Sequence, residues 1–202
     1  MGRDKALLPL GTQTFVERLL GVLADVPGGA INPIIPIIVV LGHHGDEIER
    51  QIAPALQRTP QARVVRNPDY RQGQLSSLNA ALRALASEPM AAAIEGAVVC
   101  LVDHPAITSA VVGQMLDRFV RSGAPVVIPS HQGRRGHPVL FAARLFAELL
   151  AAPADEGARV VVRAHESEID LVETAEESVL WDIDRPEDYE QLTRRWQSEP
   201  RQ

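Results

Sequence analysis

The sequence predicts an α/β fold: a three-layer sandwich in which a mostly parallel sheet is covered by helices on both faces. Three observations predict it. Short β-branched apolar runs alternate with stretches whose apolar residues recur at helical spacing, the pattern of strands buried on both faces. The chain has 202 residues, 46% of them hydrophobic and 23% charged, the balance of a globular domain with a sizeable core. Only 4% are aromatic, so Ala, Val, Leu and Ile fill that core. Residues 1–202 are read as a single domain.

The elements follow in order. Thr14-Phe-Val-Glu17 is a capping box that starts a helix, with Thr14 capping an amide and Glu17 reaching back to the cap. Residues 34–41 are a β-branched apolar run interrupted by Pro36 and ended by Gly42, a buried strand. Asp46-Glu-Ile-Glu49 is a weaker second capping signal. Residues 63–66, 97–102 and 125–128 are further short strands. Helical spacing marks 75–85 and 108–119, and a final helix over 186–196 carries Pro186 in its first turn. The longer connections are 26–33 and 130–137. The second is Gly/Arg/His-rich, as expected of a flexible loop that closes on an anion. Residues 197–202 are a polar tail expected to fray.

Composition narrows the function. Net charge is −6 and no dense Lys/Arg run occurs, which disfavours a nucleic-acid partner. The single cysteine, Cys100, lies in an apolar run and reads as a core residue; one cysteine forms no intramolecular disulfide, so a reducing cytoplasm is expected. No apolar stretch reaches the ~18 residues of a membrane span, and the N-terminus lacks a signal-peptide pattern. Gly-x-Ser-x-Gly, Walker and dinucleotide fingerprints are absent.

Several residues can carry chemistry. Val98-Val-Cys-Leu-Val-Asp103-His-Pro105 is an apolar strand ending in a carboxylate, placed where ligands bind beyond strand ends. Asp103 there suits a hard cation such as Mg²⁺, though capping a turn explains it equally well. Asp182 and Asp184 alternate along an extended stretch and share a face, with Asp184 the better second metal carboxylate or else a helix cap. Glu187 and Asp188 are explained by the helix dipole. Lys5 can meet phosphates as a point charge, although a charged N-terminal tail is the commoner explanation. Gly73, Ser76 and Ser77 precede a helix whose free amides suit phosphate or a base edge, with capping as the simpler alternative. His43-His44 suggests zinc, but no Cys or Glu stands at ligand spacing, and a solvated turn is preferred. Arg134, Arg135 and His137 form a group that can bind an anionic substrate or lie idle on the surface.

Taken together, these segments resemble the MobA-like nucleotidyltransferase family. Met-Gly-x-x-Lys5-x-Leu-Leu-Pro, Asn67-Pro-Asp-Tyr-x-x-Gly73-x-x-x-Ser77-Leu, Val102-Asp103-x-Pro105, Gly136-His-Pro-Val-Leu-Phe141 and Asp182-Ile-Asp184-x-Pro-Glu-Asp188 follow in the family's order and span essentially the whole chain. The Asn-Pro-Asp-Tyr and Gly-His-Pro blocks look most like the molybdenum cofactor cytidylyltransferase branch. The resemblance implies a Rossmann-like fold of the nucleotide-diphospho-sugar transferase type. It implies Mg²⁺ held by Asp103 and Asp184, and Lys5 as the catalytic partner of Asp103. Gly2, Lys5, Gly73, Ser76, Ser77 and Asp103 would surround the nucleotide. It also implies CTP or GTP as donor, a molybdopterin-type phosphate as acceptor, pyrophosphate as product, and a molybdoenzyme that receives the dinucleotide cofactor. Arg134, Arg135 and His137 are assigned to the acceptor. Two alternatives stand beside this: transfer to a sugar phosphate or other small phosphorylated metabolite, and nucleotide binding without catalysis. The family's opening strand and its Leu-Ala-Ala-Gly-x-Ser-x-Arg loop would precede Met-Gly, where this sequence starts. Either translation begins upstream, or the chain is short and has lost catalysis.

Overall fold

The computed structural model describes residues 4–26 and 36–198. Gly2, most of the 26–33 connection, the first two residues of the expected 34–41 strand and residues 199–202 lie outside them.

A short hairpin, β1 (Pro9–Leu10) and β2 (Gln13–Thr14), leads directly into α1 (Phe15–Ala24). The capping box forms as expected: the Thr14 amide donates to Glu17 Oε2 at 2.8 Å and the Glu17 amide to Thr14 Oγ1 at 3.4 Å. β3 (Ile37–Leu41), α2 (Gly45–Arg58) and β4 (Ala62–Arg66) form a βαβ unit with β3 and β4 parallel. The second capping signal does not operate. Asp46 and Glu49 instead meet the Arg66 guanidinium, because residues three apart in the first turn of α2 both face the end of β4.

α3 (Gln74–Ala86), β5 (Gly96–Val99) and α4 (Ser109–Ser122) follow. Next come β6 (Val126–His131), β7 (Arg134–Arg135) and β8 (Val139–Ala142). Two six-residue helices, α5 (Phe146–Ala151) and α6 (Arg159–Ala164), precede β9 (Ile169–Glu173), and α7 (Pro186–Ser198) closes the described chain. The expected functional loop over 130–137 is a tight hairpin. β6 and β7 pair antiparallel through His131 and Arg134, and Gln132 and Gly133 turn the chain with φ of 52° and 75°. Two successive positive φ angles match the right-handed twist of the flanking strands.

Side chains alternate between two helical layers. Toward α1, α2 and α4 point Val39, Val98, Val127, Leu140 and Val172, covered by Leu20, Leu19, Val112 and Met115. Toward α3, α5 and α6 point Ile38, Ala97, Val99, Val126, Ile128 and Phe141, covered by Leu82, Leu85, Leu149 and Val161. This is the three-layer sandwich predicted. Pairing within the middle layer is more mixed than predicted. β3–β4 and β6–β9 are parallel, whereas β8 inserts antiparallel between β5 and β6. The middle layer is also in two parts: among the described residues β3 bonds only to β4, and β5 only to β8. α1 and α3 each pack against both parts, so the same helices hold the two together.

α7 matters most for the site. Its Leu192, with Tyr189 and Trp196, packs against Leu8, Leu10 and Phe15 of the N-terminal hairpin, and Tyr189 Oη donates to the Pro9 carbonyl at 2.7 Å. Residues 182–184, just before α7, are thereby drawn against Lys5. Cys100, expected in the core, is partly buried and packs against the cluster beneath α1 and α4, and burial pushes its thiol up to about 12.

Candidate active site

Asp103 stands beyond the end of β5 in a turn, with the His104 amide donating to the Leu101 carbonyl at 3.1 Å. The Asp103 carbonyl accepts the Ile183 amide at 2.9 Å, which fixes the 182–184 stretch beside it. Asp103, His104 and Asp182 bring one ligand atom each to within 4.8 Å of one another. Asp103 Oδ1 is buried with no hydrogen-bond partner, as is His104 Nδ1. A buried carboxylate oxygen without a donor is costly unless something else satisfies it. Two carboxylates facing one point suit a divalent cation such as Mg²⁺ or Mn²⁺, with phosphate and water completing the shell.

Asp184, preferred over Asp182 from sequence, is engaged elsewhere. Lys5 lies in a short 3-10 turn (Lys5–Leu7), and its Nζ is 2.5 Å from Asp184 Oδ1. The ammonium holds the Asp184 carboxyl below its usual range. Asp182 moves the other way, raised by partial burial and then by the Asp103 and Asp184 carboxylates. The two neighbouring aspartates are therefore pushed apart by environment. Asp188 caps the start of α7, where its carboxylate accepts the Arg185 amide at 2.8 Å and the Asp184 amide at 3.2 Å.

Nothing in the sequence pairs His104 with His137, yet the fold brings the rings together, tilted by 39° with centroids 4.4 Å apart. Burial lowers both to about 4, so at neutral pH both are uncharged. Gly136 makes this approach possible. A Cβ there would lie 2.4 Å from the Val179 carbonyl oxygen, and the His137 amide donates to that same oxygen at 2.9 Å. The two arginines before it sit exposed on β7. Both guanidinium arms of Arg135 are bound to Glu166, at 2.7 and 2.9 Å, so acceptor binding by Arg135 requires breaking that pair. The hairpin is itself tied down, since Glu173 accepts from Ser130 Oγ at 2.6 Å and from the Gln132 amide at 2.8 Å.

The Asn67–Ser77 block forms a knot. Asn67 is buried; its Nδ2 donates to Ser76 Oγ at 2.8 Å and Ser77 Oγ at 3.0 Å, while its Oδ1 accepts the Asp69 amide at 3.0 Å. Gly73 adopts φ 98° and ψ −177°, a conformation open only to glycine, and leads into α3. Ser76 Oγ also lies 2.7 Å from the Gly73 carbonyl. Asn67 is thus the organising residue of this block, signalled in the sequence only by its place at the head of Asn-Pro-Asp-Tyr. Tyr70 packs on Gly42, where a Cβ would approach it to 2.5 Å, and its ring meets His43 at 5.6 Å. His44 contacts Asp4 at 2.9 Å, next to Lys5. Traced from end to end, these contacts run from Tyr70 through His43, His44, Asp4, Lys5, Asp184 and Asp182 to Asp103, His104 and His137. This chain of neighbouring residues links the block assigned to nucleotide with the carboxylates assigned to metal.

Residues 1–169 match the family described as MobA-like NTP transferase domain. The molybdenum cofactor cytidylyltransferase of Escherichia coli (strain K12) is 24% identical over 189 residues, covering 94% of this chain and 86% of that protein. The nicotine blue oxidoreductase of Paenarthrobacter nicotinovorans is 30% identical over 194 residues, covering 93% and 87%. Among solved structures, Rv0371C of Mycobacterium tuberculosis H37Rv in complex with manganese superposes with a TM-score of 0.67 at 24% identity, covering 96% of this chain and 93% of that one. The fold is Rossmann-like, of the kind shared by nucleotidyltransferases.

Proposed function

The chain belongs to the MobA-like NTP transferase family, and from that premise we propose that it transfers CMP or GMP from the nucleoside triphosphate to the phosphate of a molybdopterin-type acceptor, releasing pyrophosphate. The observation that carries the reading is the buried, partnerless Asp103 oxygen facing Asp182, beside the Lys5–Asp184 pair. One relative bears the name of an oxidoreductase, so the site has to select the chemistry. Carboxylates clustered beside a lysine are what a metal-bound triphosphate needs, which favours nucleotidyl transfer.

The acceptor phosphate attacks the α-phosphorus and the bond to the β-phosphate oxygen breaks. Little covalent work falls to the protein; positioning and charge neutralisation supply most of the effect. Asp103 and Asp182 would hold a divalent cation, which would supply Lewis-acid stabilisation of the phosphate oxygens. Lys5 neutralises the triphosphate, exchanging Asp184 for a phosphate oxygen as the nucleotide enters, and the released Asp184 carboxylate would be available to a bound cation. Gly73 and Ser77, held by Asn67, flank the base and ribose. The Ser76 hydroxyl serves the loop that shapes them. Neutral His104 and His137 line the path of the acceptor without adding charge, and Arg134 meets its phosphate from the hairpin. The name of the Escherichia coli relative supports CTP as donor and molybdopterin as acceptor. The lone cysteine supports a reducing, cytoplasmic setting for this step.

The test is pyrophosphate release from purified protein with Mg²⁺ or Mn²⁺, molybdopterin and either CTP or GTP. Release with one triphosphate is expected. Asp103→Asn should lower it by about 10²-fold or more, and Asp182→Asn should lower it more than Asp184→Asn does. Release only with a sugar phosphate moves the assignment to that acceptor. Triphosphate binding without turnover on any acceptor would sink the enzyme reading.

A further inference from the structure

We propose that Asp4, His43 and His44 form a second metal site, selective for zinc-like transition ions, that clamps the Lys5 turn to the end of β3. Sequence spacing argues against zinc at His43-His44 because no third ligand stands nearby in the chain. The fold supplies one from 40 residues before His44. Asp4 Oδ2 lies 2.9 Å from His44 Nδ1, and the two imidazole rings meet at a tilt of 46° with centroids 3.6 Å apart. The three residues bring one ligand atom each to within 4.8 Å of one another. Two donors bound tetrahedrally at about 2.1 Å sit roughly 3.4 Å apart, so the hydrogen-bonded Asp4–His44 pair has to open by about half an ångström and His43 has to close in. Nitrogen donors outnumber oxygen here, which suits Zn²⁺, Co²⁺ or Ni²⁺ and not Mg²⁺.

The backbone is arranged for this ring placement. His44 adopts the left-handed conformation, φ 51° and ψ 27°, one of two non-glycine residues with positive φ among those described. It stands at the N-cap position of α2 without giving a side-chain cap, its ring turned to Asp4 instead. His43 and His44 are exposed, leaving the remaining coordination position to water or a phosphate oxygen. Asp4 adjoins Lys5, so an ion here fixes the turn from which the ammonium projects. The site is independent of the carboxylate cluster and stands whether or not that cluster transfers nucleotides.

The experiment titrates the full chain with Co²⁺ and Zn²⁺, reading the visible Co²⁺ absorption band, its displacement by Zn²⁺, and hydrogen exchange of the Lys5–Leu7 amides. It is run in the Asp103→Asn, Asp182→Asn double variant, which removes both carboxylates of the other cluster. One Co²⁺ per chain is expected, displaced by equimolar Zn²⁺ and indifferent to the same concentration of Mg²⁺, with slower exchange at Lys5–Leu7. His44→Gly removes the ligand while suiting the left-handed backbone, so a folding defect does not confuse the result. It should weaken Zn²⁺ binding by roughly 10–100-fold, as should Asp4→Asn. Unchanged Zn²⁺ binding in His44→Gly, or binding with no effect on the Lys5–Leu7 amides, overturns the proposal.

Discussion

His104 and His137 show how burial sets charge at the scale of single residues. Their folded-state values near 4 lie below the ~6.5 of an unfolded chain. Above about pH 6.5 neither state binds a proton and stability is at its full value. As pH falls toward 4, the unfolded chain takes up protons that the folded pair refuses, so stability is lost across that window. Thermal melts of metal-free protein should therefore show Tm falling between about pH 6.5 and 4, with a shallower fall in His137→Gln. Superimposable slopes would mean that the pair titrates as in solvent. Much of the candidate site is legible at this scale. Asp103 is a carboxylate ending an apolar strand, and Lys5 and the Asn67 block stand in a recognisable order. The ranking of Asp182 and Asp184 is not legible. It depends on Lys5 reaching Asp184 across 179 residues, which no local pattern encodes. His104 looks like filler between Asp103 and Pro105, and its ring partner lies beyond a helix and two strands, so the sequence gives no reason to single it out.

At the scale of elements, the β6–β7 hairpin and the Gly136 crossing decide where His137 sits. An alanine at 136 would place its Cβ 2.4 Å from a backbone oxygen of Val179, an atom fixed by its own bond to the His137 amide. Gly136→Ala should destabilise the protein by about 1–3 kcal/mol through overpacking and also displace His137. Gly133 provides the control, with φ 75° but nothing within 4 Å of an added Cβ. Urea unfolding midpoints and pyrophosphate release should separate the two. Gly133→Ala loses stability through backbone strain, whereas Gly136→Ala also loses turnover. Equal turnover in both would refute this role for the crossing. The elements that sequence locates correctly carry local signals, as with the Thr14–Glu17 box and the apolar periodicity of α3 and α4. The 130–137 segment resembles a loop in sequence because its turn is Gln-Gly, without the Asn-Gly or Asp-Gly signal of a two-residue hairpin. β8, β9, α5 and α6 are four to six residues long, too short for periodicity to separate from background.

For the whole molecule, the layered fold is legible because alternating strands and helices can bury their apolar faces in few ways. Strand order is not, since β8 pairs with β5 and β6 through contacts distant in sequence. The consequence is an uneven middle layer. β6 lies among β7, β8 and β9, and five of its six residues are buried. β5 is only partly buried throughout, and the three inner residues of β3 are likewise intermediate, although both strands are apolar. Each of these strands bonds to one neighbour among the described residues, which leaves its other edge without a ladder partner among them. Amides outside a ladder lose its contribution and open more readily than those inside one. In the 202-residue chain, native-state hydrogen exchange should show Val126–Ile128 most protected, with the free-edge amides of β3 and β5 exchanging about tenfold or more faster. Uniform protection across β3, β5 and β6 would contradict the two-part sheet. The site straddles this division: His43 and the Asn67 block extend from the β3–β4 part, and Asp103 and His137 from the β5–β8 part. Lys5 bridges them, paired with Asp184 on one side and next to Asp4 on the other. A ligand that engages both sides should therefore protect the β3 and β5 edges together, and exchange measured with and without triphosphate and Mn²⁺ reads that coupling directly.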